Sequence, residues 1–149
     1  MQGELYTKGM LGQMGFQDFD GQKMMDERPE YIVFNGRPWS MVEGGEINAK
    51  VGDRIRLFVG NGGVSKVSSF HVIGEIFDRV YPEASTANPL ENVQTTLIPA
   101  GGATIAEFQA DVPGDYVLVD HALTRIDRGA WGIISVNGSD QTAIYSASQ

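Results

Sequence analysis

Two histidines are the residues of this chain best suited to chemistry. His71 lies inside the largely apolar run at residues 67–74, and His121 follows the apolar run at residues 116–119. Imidazole gains and loses a proton near neutral pH, and its neutral form is the commonest protein ligand for metal ions. For each ring, patterning alone favours the simpler interpretation, a core histidine that donates to a backbone carbonyl.

The number of possible ligands limits what these two histidines can do. The chain has two histidines and no cysteine, whereas a catalytic metal uses about three protein ligands and one open position. If either histidine binds a metal, further ligands must come from another chain or domain. Thioethers bind Cu(I), so a methionine cluster is a second candidate, although packing against a partner is the simpler interpretation for Met10, Met14, Met24 and Met25.

Composition excludes several classes of protein. Without cysteine there is no disulfide framework, thiolate metal site or thiol nucleophile. The formal net charge of −8 argues against nucleic-acid binding, which relies on cationic surface. No apolar run approaches the roughly 20 residues of a membrane-spanning helix. The glycine clusters at residues 60–63 and 99–102 lack the sequence of a phosphate-binding loop and are interpreted as turns.

The elements that must position the histidines are short strands. Runs rich in β-branched and aromatic residues, separated by Gly, Pro and Asn, predict eight strands at residues 31–34, 54–59, 67–73, 76–81, 93–98, 104–108, 116–119 and 131–136. This spacing predicts an all-β antiparallel sandwich or barrel. One short helix is expected at residues 122–128, with Asp120 as its N-cap and Gly129 as its end.

Three regions are expected along the chain. Residues 1–29 lack a sustained period and are interpreted as an irregular N-terminal arm or linker, with a turn at Asp20 and Gly21. Residues 30–137 carry the strand pattern, and residues 138–149 form a tail. The start lacks the basic-then-apolar pattern of a secretory signal, so an exported protein would appear here in processed or truncated form.

Five motifs together resemble the second, C-terminal cupredoxin domain of copper-containing nitrite reductases. The similarity runs from about residue 4 to residue 137 in the same order and with nearly the same spacing. The motifs are YIVFNG at 31–36, LFVGNGG at 57–63, SSFHVIGEIFD at 68–78, NVQTTLIPAGG at 92–102 and LVDH at 118–121. The resemblance implies a Greek-key β-sandwich of cupredoxin type.

The resemblance also implies roles for particular residues. His71 corresponds to the histidine that helps deliver protons to bound nitrite, and His121 to the histidine that reaches across a subunit boundary to the type-two catalytic copper. Ile73 corresponds to the isoleucine that crowds nitrite over the metal. Thr95 corresponds to the threonine that hydrogen-bonds the active-site histidine, and Gln94 lies beside it.

Members of that family carry a first cupredoxin domain, which supplies the blue-copper centre and the remaining ligands of the catalytic copper. That domain is missing from this chain, and without a thiolate the chain cannot hold a blue-copper centre. The resemblance therefore implies a part of a copper nitrite reductase that needs a first domain within a longer chain or in trans. A homotrimer, nitrite as substrate and a periplasmic location are also implied, with no nucleic acid and no membrane span.

Two alternatives remain open. One is a non-catalytic, stand-alone cupredoxin-like scaffold, which the small number of metal ligands favours for the isolated chain. The other is a fragment of a two-domain laccase-like oxidase, which is weaker because the His-x-His and His-Cys-His motifs of that group are missing.

Overall fold

A computed structural model of the chain describes residues 1–42 and 44–144. In these residues the chain forms eleven strands, one α-helix and one 3-10 helix. The elements, in chain order, are β1 (Gln2–Leu5), α1 (Gly21–Met25), β2 (Tyr31–Phe34), β3 (Ile47–Lys50), β4 (Arg54–Gly60), β5 (Ser68–Ile73), β6 (Phe77–Pro82), β7 (Leu90–Val93), β8 (Thr95–Ile98), β9 (Ala103–Gln109), β10 (Gly114–Asp120), the 3-10 helix (Leu123–Arg125) and β11 (Trp131–Asn137).

The strands form a β-sandwich. Its two main sheets have the strand orders β3-β11-β10-β5-β8 and β4-β9-β6-β7, and β1 pairs with β2 in a separate ribbon. Pairing is antiparallel except between β11 and β3. The prediction of an all-β sandwich is confirmed.

An aromatic cluster fills the space between the sheets. The rings of Phe70 and Phe77 stack with centroids 6.0 Å apart, and Phe108 lies 6.2 Å from Phe77. All three side chains are almost fully buried. Because successive side chains of a strand point to opposite faces, the inward position of Phe70 in β5 places the neighbouring His71 on the outer face.

Three features of the sheets differ from the sequence-based expectation. Strands β1 and β3 are not predicted, because their short sequences, QGEL and INAK, lack an apolar run. The strand predicted at residues 93–98 is divided into β7 and β8, with Gln94 between them. Asn92 just before this break has a positive φ of 57°, so the backbone turns where the sequence pattern predicts a continuous strand.

The helix after His121 is shorter than predicted. It is a single 3-10 turn at Leu123–Arg125 with Ala122 at the N-cap position. The prediction that Asp120 caps this helix is wrong. Its carboxylate instead accepts hydrogen bonds from the Gln2 side chain and the Ser69 N–H. A second helix, α1, begins where only a turn is predicted, since the Asp20 side chain accepts a hydrogen bond from the Lys23 N–H at 2.9 Å.

The N-terminal segment is partly built into the sandwich. Strand β1 pairs with β2 from Gln2 opposite Phe34 to Leu5 opposite Tyr31, and Tyr6 is 4% exposed. Between Tyr6 and α1 the backbone is irregular, as expected of the arm. Among the described residues, no helix is long and apolar enough to cross a membrane.

Candidate metal centre

His71 lies on the outer face of the five-stranded sheet, in β5. It faces Val119 of β10 on one side and Thr95 of β8 on the other. The side chain is only 5% exposed. Strand pairing on both sides therefore fixes the position from which the imidazole projects.

A main-chain carbonyl orients the His71 ring. Nδ1 lies 2.5 Å from the carbonyl oxygen of Gln94, at the break between β7 and β8. A carbonyl oxygen can only accept a hydrogen bond, so Nδ1 carries a proton and Nε2 is free for a second partner. The resemblance implies that the Thr95 hydroxyl bonds this ring, whereas the structure places the Gln94 carbonyl on Nδ1.

His121 lies just past the end of β10 and is solvent-exposed. Its main-chain N–H donates to the Ser69 carbonyl at 2.7 Å, which ties it to the strand that carries His71. The two imidazole centroids are 5.3 Å apart, and the ring planes are inclined by 64°. Strands β5 and β10 thus bring together two histidines that are 50 residues apart in the sequence.

The other residues singled out from the sequence lie around His71. Ile73 follows it by two positions in β5, so both share the outer face, and Ile73 is 42% exposed. Thr95 and Gln94 are also exposed. The structure therefore places His71, Ile73 and Thr95 on one sheet face, with Gln94 just before β8 and His121 just after β10.

Sequence reasoning missed a buried polar network beneath His121. Asp120 is 0% exposed and bonds Gln2 and Arg125 with one carboxylate oxygen. The only available signal was an acidic residue at the end of an apolar strand. No sequence feature pointed to Gln2, because it lies 118 residues away from Asp120.

The described residues do not complete a metal site by themselves. Among residues 1–42 and 44–144, no group of three or more His, Cys, Asp or Glu side chains is arranged to hold a metal ion. Of the two histidines, His121 has the exposed imidazole that could bind a metal ion, and further ligands would be needed to complete such a site.

The chain is similar to copper-containing nitrite reductases in both sequence and structure. The chain is 50% identical over 147 residues to the copper-containing nitrite reductase of Neisseria gonorrhoeae, a match that covers 98% of the chain and 37% of that protein. It is 34% identical over 112 residues to the copper-containing nitrite reductase of Pseudomonas chlororaphis, which covers 74% of the chain and 30% of that protein. No model of a protein family matches the chain.

Solved structures give the same result. The copper-containing nitrite reductase of Thermus scotoductus superposes with a TM-score of 0.80 at 28% identity, over 93% of this chain and 30% of that one. The copper nitrite reductase of Nitrosomonas europaea gives 0.78 at 29% identity, over 94% and 48%. A multicopper oxidase with 20% identity and a TM-score of 0.69 shares the fold.

The β-sandwich and the structural matches define a domain of cupredoxin type. The sequence matches, which cover 98% and 74% of the chain, identify the group of cupredoxin proteins to which it is related. The chain belongs, as a single domain, to the copper-containing nitrite reductase family, and it spans little more than a third of the length of its curated relatives.

Proposed function

We propose that this chain supplies one side of a type-two copper centre that reduces nitrite to nitric oxide. The observation that carries the proposal is the histidine pair: a buried, oriented His71 lies 5.3 Å from an exposed His121 on a domain related to copper nitrite reductases. His121 is the proposed copper ligand. The remaining ligands would come from a first cupredoxin domain, in the same longer protein or in trans.

The reaction requires nitrite, one electron and two protons, and it yields nitric oxide and water. Copper, when bound, would hold the anion as a Lewis acid and pass on the electron. His71 would supply a proton from Nε2 when its ring is doubly protonated, and Nδ1 would keep its own proton in the hydrogen bond to the Gln94 carbonyl. The 5.3 Å ring separation puts His71 within reach, directly or through one water, of a small anion beside His121.

The residues around His71 would shape the nitrite pocket. Ile73 presents an exposed apolar side chain on the same strand face, and such a wall limits the space and the water beside a bound anion. Thr95, directly opposite His71 in β8, and Gln94 would line the other side. Gln94 would act mainly through its backbone carbonyl.

The relationship to copper-containing nitrite reductases also supports a proposal for the partners and the location. We propose a homotrimer with the copper at a domain boundary, a periplasmic location, and no blue-copper centre in this chain because it has no cysteine. We also propose the division into an arm at residues 1–29, a cupredoxin domain at 30–137 and a tail at 138–149. Residues 145–149 of that tail lie outside the described part of the chain.

The second candidate is a non-catalytic cupredoxin-like scaffold. It is favoured by one observation: the described residues bring no three metal-ligating side chains together. A scaffold, however, gives no reason for a buried histidine with an oriented ring beside an exposed one.

An assay of copper content and nitrite turnover separates the two candidates. The chain would be measured alone and then mixed with the segment of the gonococcal relative that it does not cover, expressed separately. The proposal predicts copper and turnover in the mixture only. If the mixture associates but has neither copper nor turnover, the scaffold is the better account.

A further inference from the structure

A buried carboxylate next to the histidine pair has no role in the function proposed above. Asp120 directly precedes His121 and is 0% exposed. A carboxylate is stable at such a site only where hydrogen bonds and opposite charge replace its hydration. Its bonding partners therefore show which parts of the structure it holds in place.

One oxygen of Asp120 holds the backbone around His121. Oδ1 accepts hydrogen bonds from the Ser69 N–H at 3.2 Å and the Ala122 N–H at 3.1 Å. The His121 N–H itself donates to the Ser69 carbonyl at 2.7 Å. His121 is thus tied to the strand that carries His71 both through its own N–H and through the Asp120 carboxylate that precedes it.

The other oxygen ties this point to the N-terminal strand and to the helix that follows. Oδ2 accepts from Gln2 Nε2 at 2.9 Å and from the Arg125 guanidinium. Gln2 in turn accepts from the Ser68 hydroxyl at 2.7 Å, and Arg125 also donates to the Val67 carbonyl at 2.7 Å. Gln2 and Ser68 are buried together with Asp120, so this side of the network is shielded from water.

We propose that Asp120 is a positioning residue for His121, with Gln2 and Arg125 holding its carboxylate in place. We call the hydrogen bonds of the Asp120 carboxylate to Gln2, Arg125 and the Ser69 and Ala122 N–H groups the clamp. The clamp fixes the backbone from which the His121 imidazole projects and so sets the geometry of the histidine pair. Its consequence for copper rests on the proposed function, whereas the clamp itself does not. Strand β1, at the start of the chain, thereby becomes part of the support of the site.

The chemistry of the partners makes Asp120→Asn an informative variant. All four groups that bond the carboxylate are donors, and an amide has one acceptor and one donor end. In either orientation of the new side-chain amide, its NH₂ group replaces one carboxylate oxygen and faces the two donors that had bonded to that oxygen. The substitution keeps the side-chain size while breaking half of the clamp.

Amide hydrogen exchange of the chain, followed by NMR, tests the clamp. In Asp120→Asn we expect the His121 N–H to exchange more than about tenfold faster, with little change at Val72 in β5, because the opening is local. The ring signals of the histidine pair should shift together. Asp127→Asn is the matched control, since Asp127 lies just after the same helix and outside the network, and it should change neither.

Two results would overturn the clamp. One is a folded Asp120→Asn chain whose His121 exchange and ring signals match the wild type. The other is a uniform acceleration at all strand amides, which would mean that Asp120 contributes only to global stability. If Asp120→Asn does not fold, Gln2→Ala decides the question: it leaves Oδ1 intact and should give a smaller, still local acceleration at His121, and an unchanged His121 would refute the clamp.

The consequence for the metal is tested by measuring copper affinity after this chain is mixed with the segment of the gonococcal relative that it does not cover. Loss of a group that orients a ligand typically lowers metal affinity 10- to 100-fold, so Asp120→Asn should weaken copper binding within roughly that range. Unchanged affinity would contradict the link to copper. If His121→Ala itself retains copper, the proposed function fails, while the exchange result for Asp120 stands or falls separately.

Discussion

The His71 and His121 imidazoles lie 5.3 Å apart, centroid to centroid, although the two side chains have opposite environments. His71 is 5% exposed and bonded through Nδ1 to a carbonyl, whereas His121 is open to solvent. A buried ring with one free nitrogen suits proton transfer in a fixed direction. An exposed ring suits a ligand shared with another polypeptide.

Replacing His71 should separate proton delivery from metal binding. The complemented assembly is this chain mixed with the segment of the gonococcal relative that it does not cover. In this assembly, His71→Ala is expected to retain copper while nitrite turnover falls by about 10²- to 10⁴-fold, the range typical of a general acid. Metal analysis and steady-state turnover measured on the same preparation check this. Unchanged turnover would remove His71 from the mechanism.

The Thr95 hydroxyl should not determine the tautomer of His71. Because the Gln94 main-chain carbonyl bonds Nδ1, Thr95→Val is expected to keep the neutral ring protonated at Nδ1. Nitrogen-15 NMR of the labelled imidazole distinguishes the two tautomers, with His121 as the internal reference. If the ring proton is found on Nε2 in this variant, the Thr95 hydroxyl controls the orientation of His71, as the family resemblance implies.

The ion pair between Lys23 and Glu30 should stabilise the N-terminal arm in a pH-dependent way. Lys23 Nζ lies 2.6 Å from the Glu30 carboxylate, and this hydrogen bond lowers the pKa of Glu30 below its ordinary value of 4.5. The stabilisation is therefore complete above the ordinary pKa and is lost as the pH falls through the lower, folded-state pKa.

Glu30→Gln should thus lower the free energy of unfolding at neutral pH by no more than about 1 kcal/mol. The difference from the wild type should vanish in strong acid. Urea unfolding across a pH series checks this. Glu91→Gln, which removes the exposed contact to Arg79 at 3.6 Å, is the control and should have little effect at any pH. A Glu30→Gln deficit that persists in acid would exclude the ionic origin.

The aromatic cluster should dominate the stability of the sandwich. Phe77 is 0% exposed between Phe70 and Phe108, so Phe77→Ala is expected to lower the free energy of unfolding by about 3–5 kcal/mol. Phe58→Ala is the matched control, because Phe58 is 73% exposed and should change stability by less than about 0.5 kcal/mol. Similar losses for both variants would contradict this assignment of the core.

Local patterning was sufficient for the class of fold and for most of the strands. The alternation around Phe70 and His71 predicts β5, and the Gly-rich turns predict where neighbouring strands end. Patterning could not find β1 or β3, because these strands depend on partners far away in the sequence rather than on their own apolar residues. It also could not assign Asp120, whose buried position depends on Gln2 at the other end of the chain.

The site shows the same division between local and long-range information. The residue types of His71 and His121 suggested chemistry, but only the pairing of β5 with β10 brings the two rings together. A backbone carbonyl as the partner of the His71 ring was expected, but the sequence could not show which one, because a main-chain group leaves no trace in the residue type of Gln94. The number of possible ligands, in contrast, followed directly from counting and already predicted that any metal centre would be shared.

The central claim is that this chain gives one imidazole to a copper ion whose other ligands lie elsewhere. The most direct measurement is the electron spin-echo spectrum of Cu(II) in the complemented assembly, with only this chain's two histidines labelled with nitrogen-15. We predict strong coupling to one labelled nitrogen, retained in His71→Ala and lost in His121→Ala together with most of the copper. Bound copper with no coupling to nitrogen-15, or coupling unchanged in His121→Ala, would contradict the account.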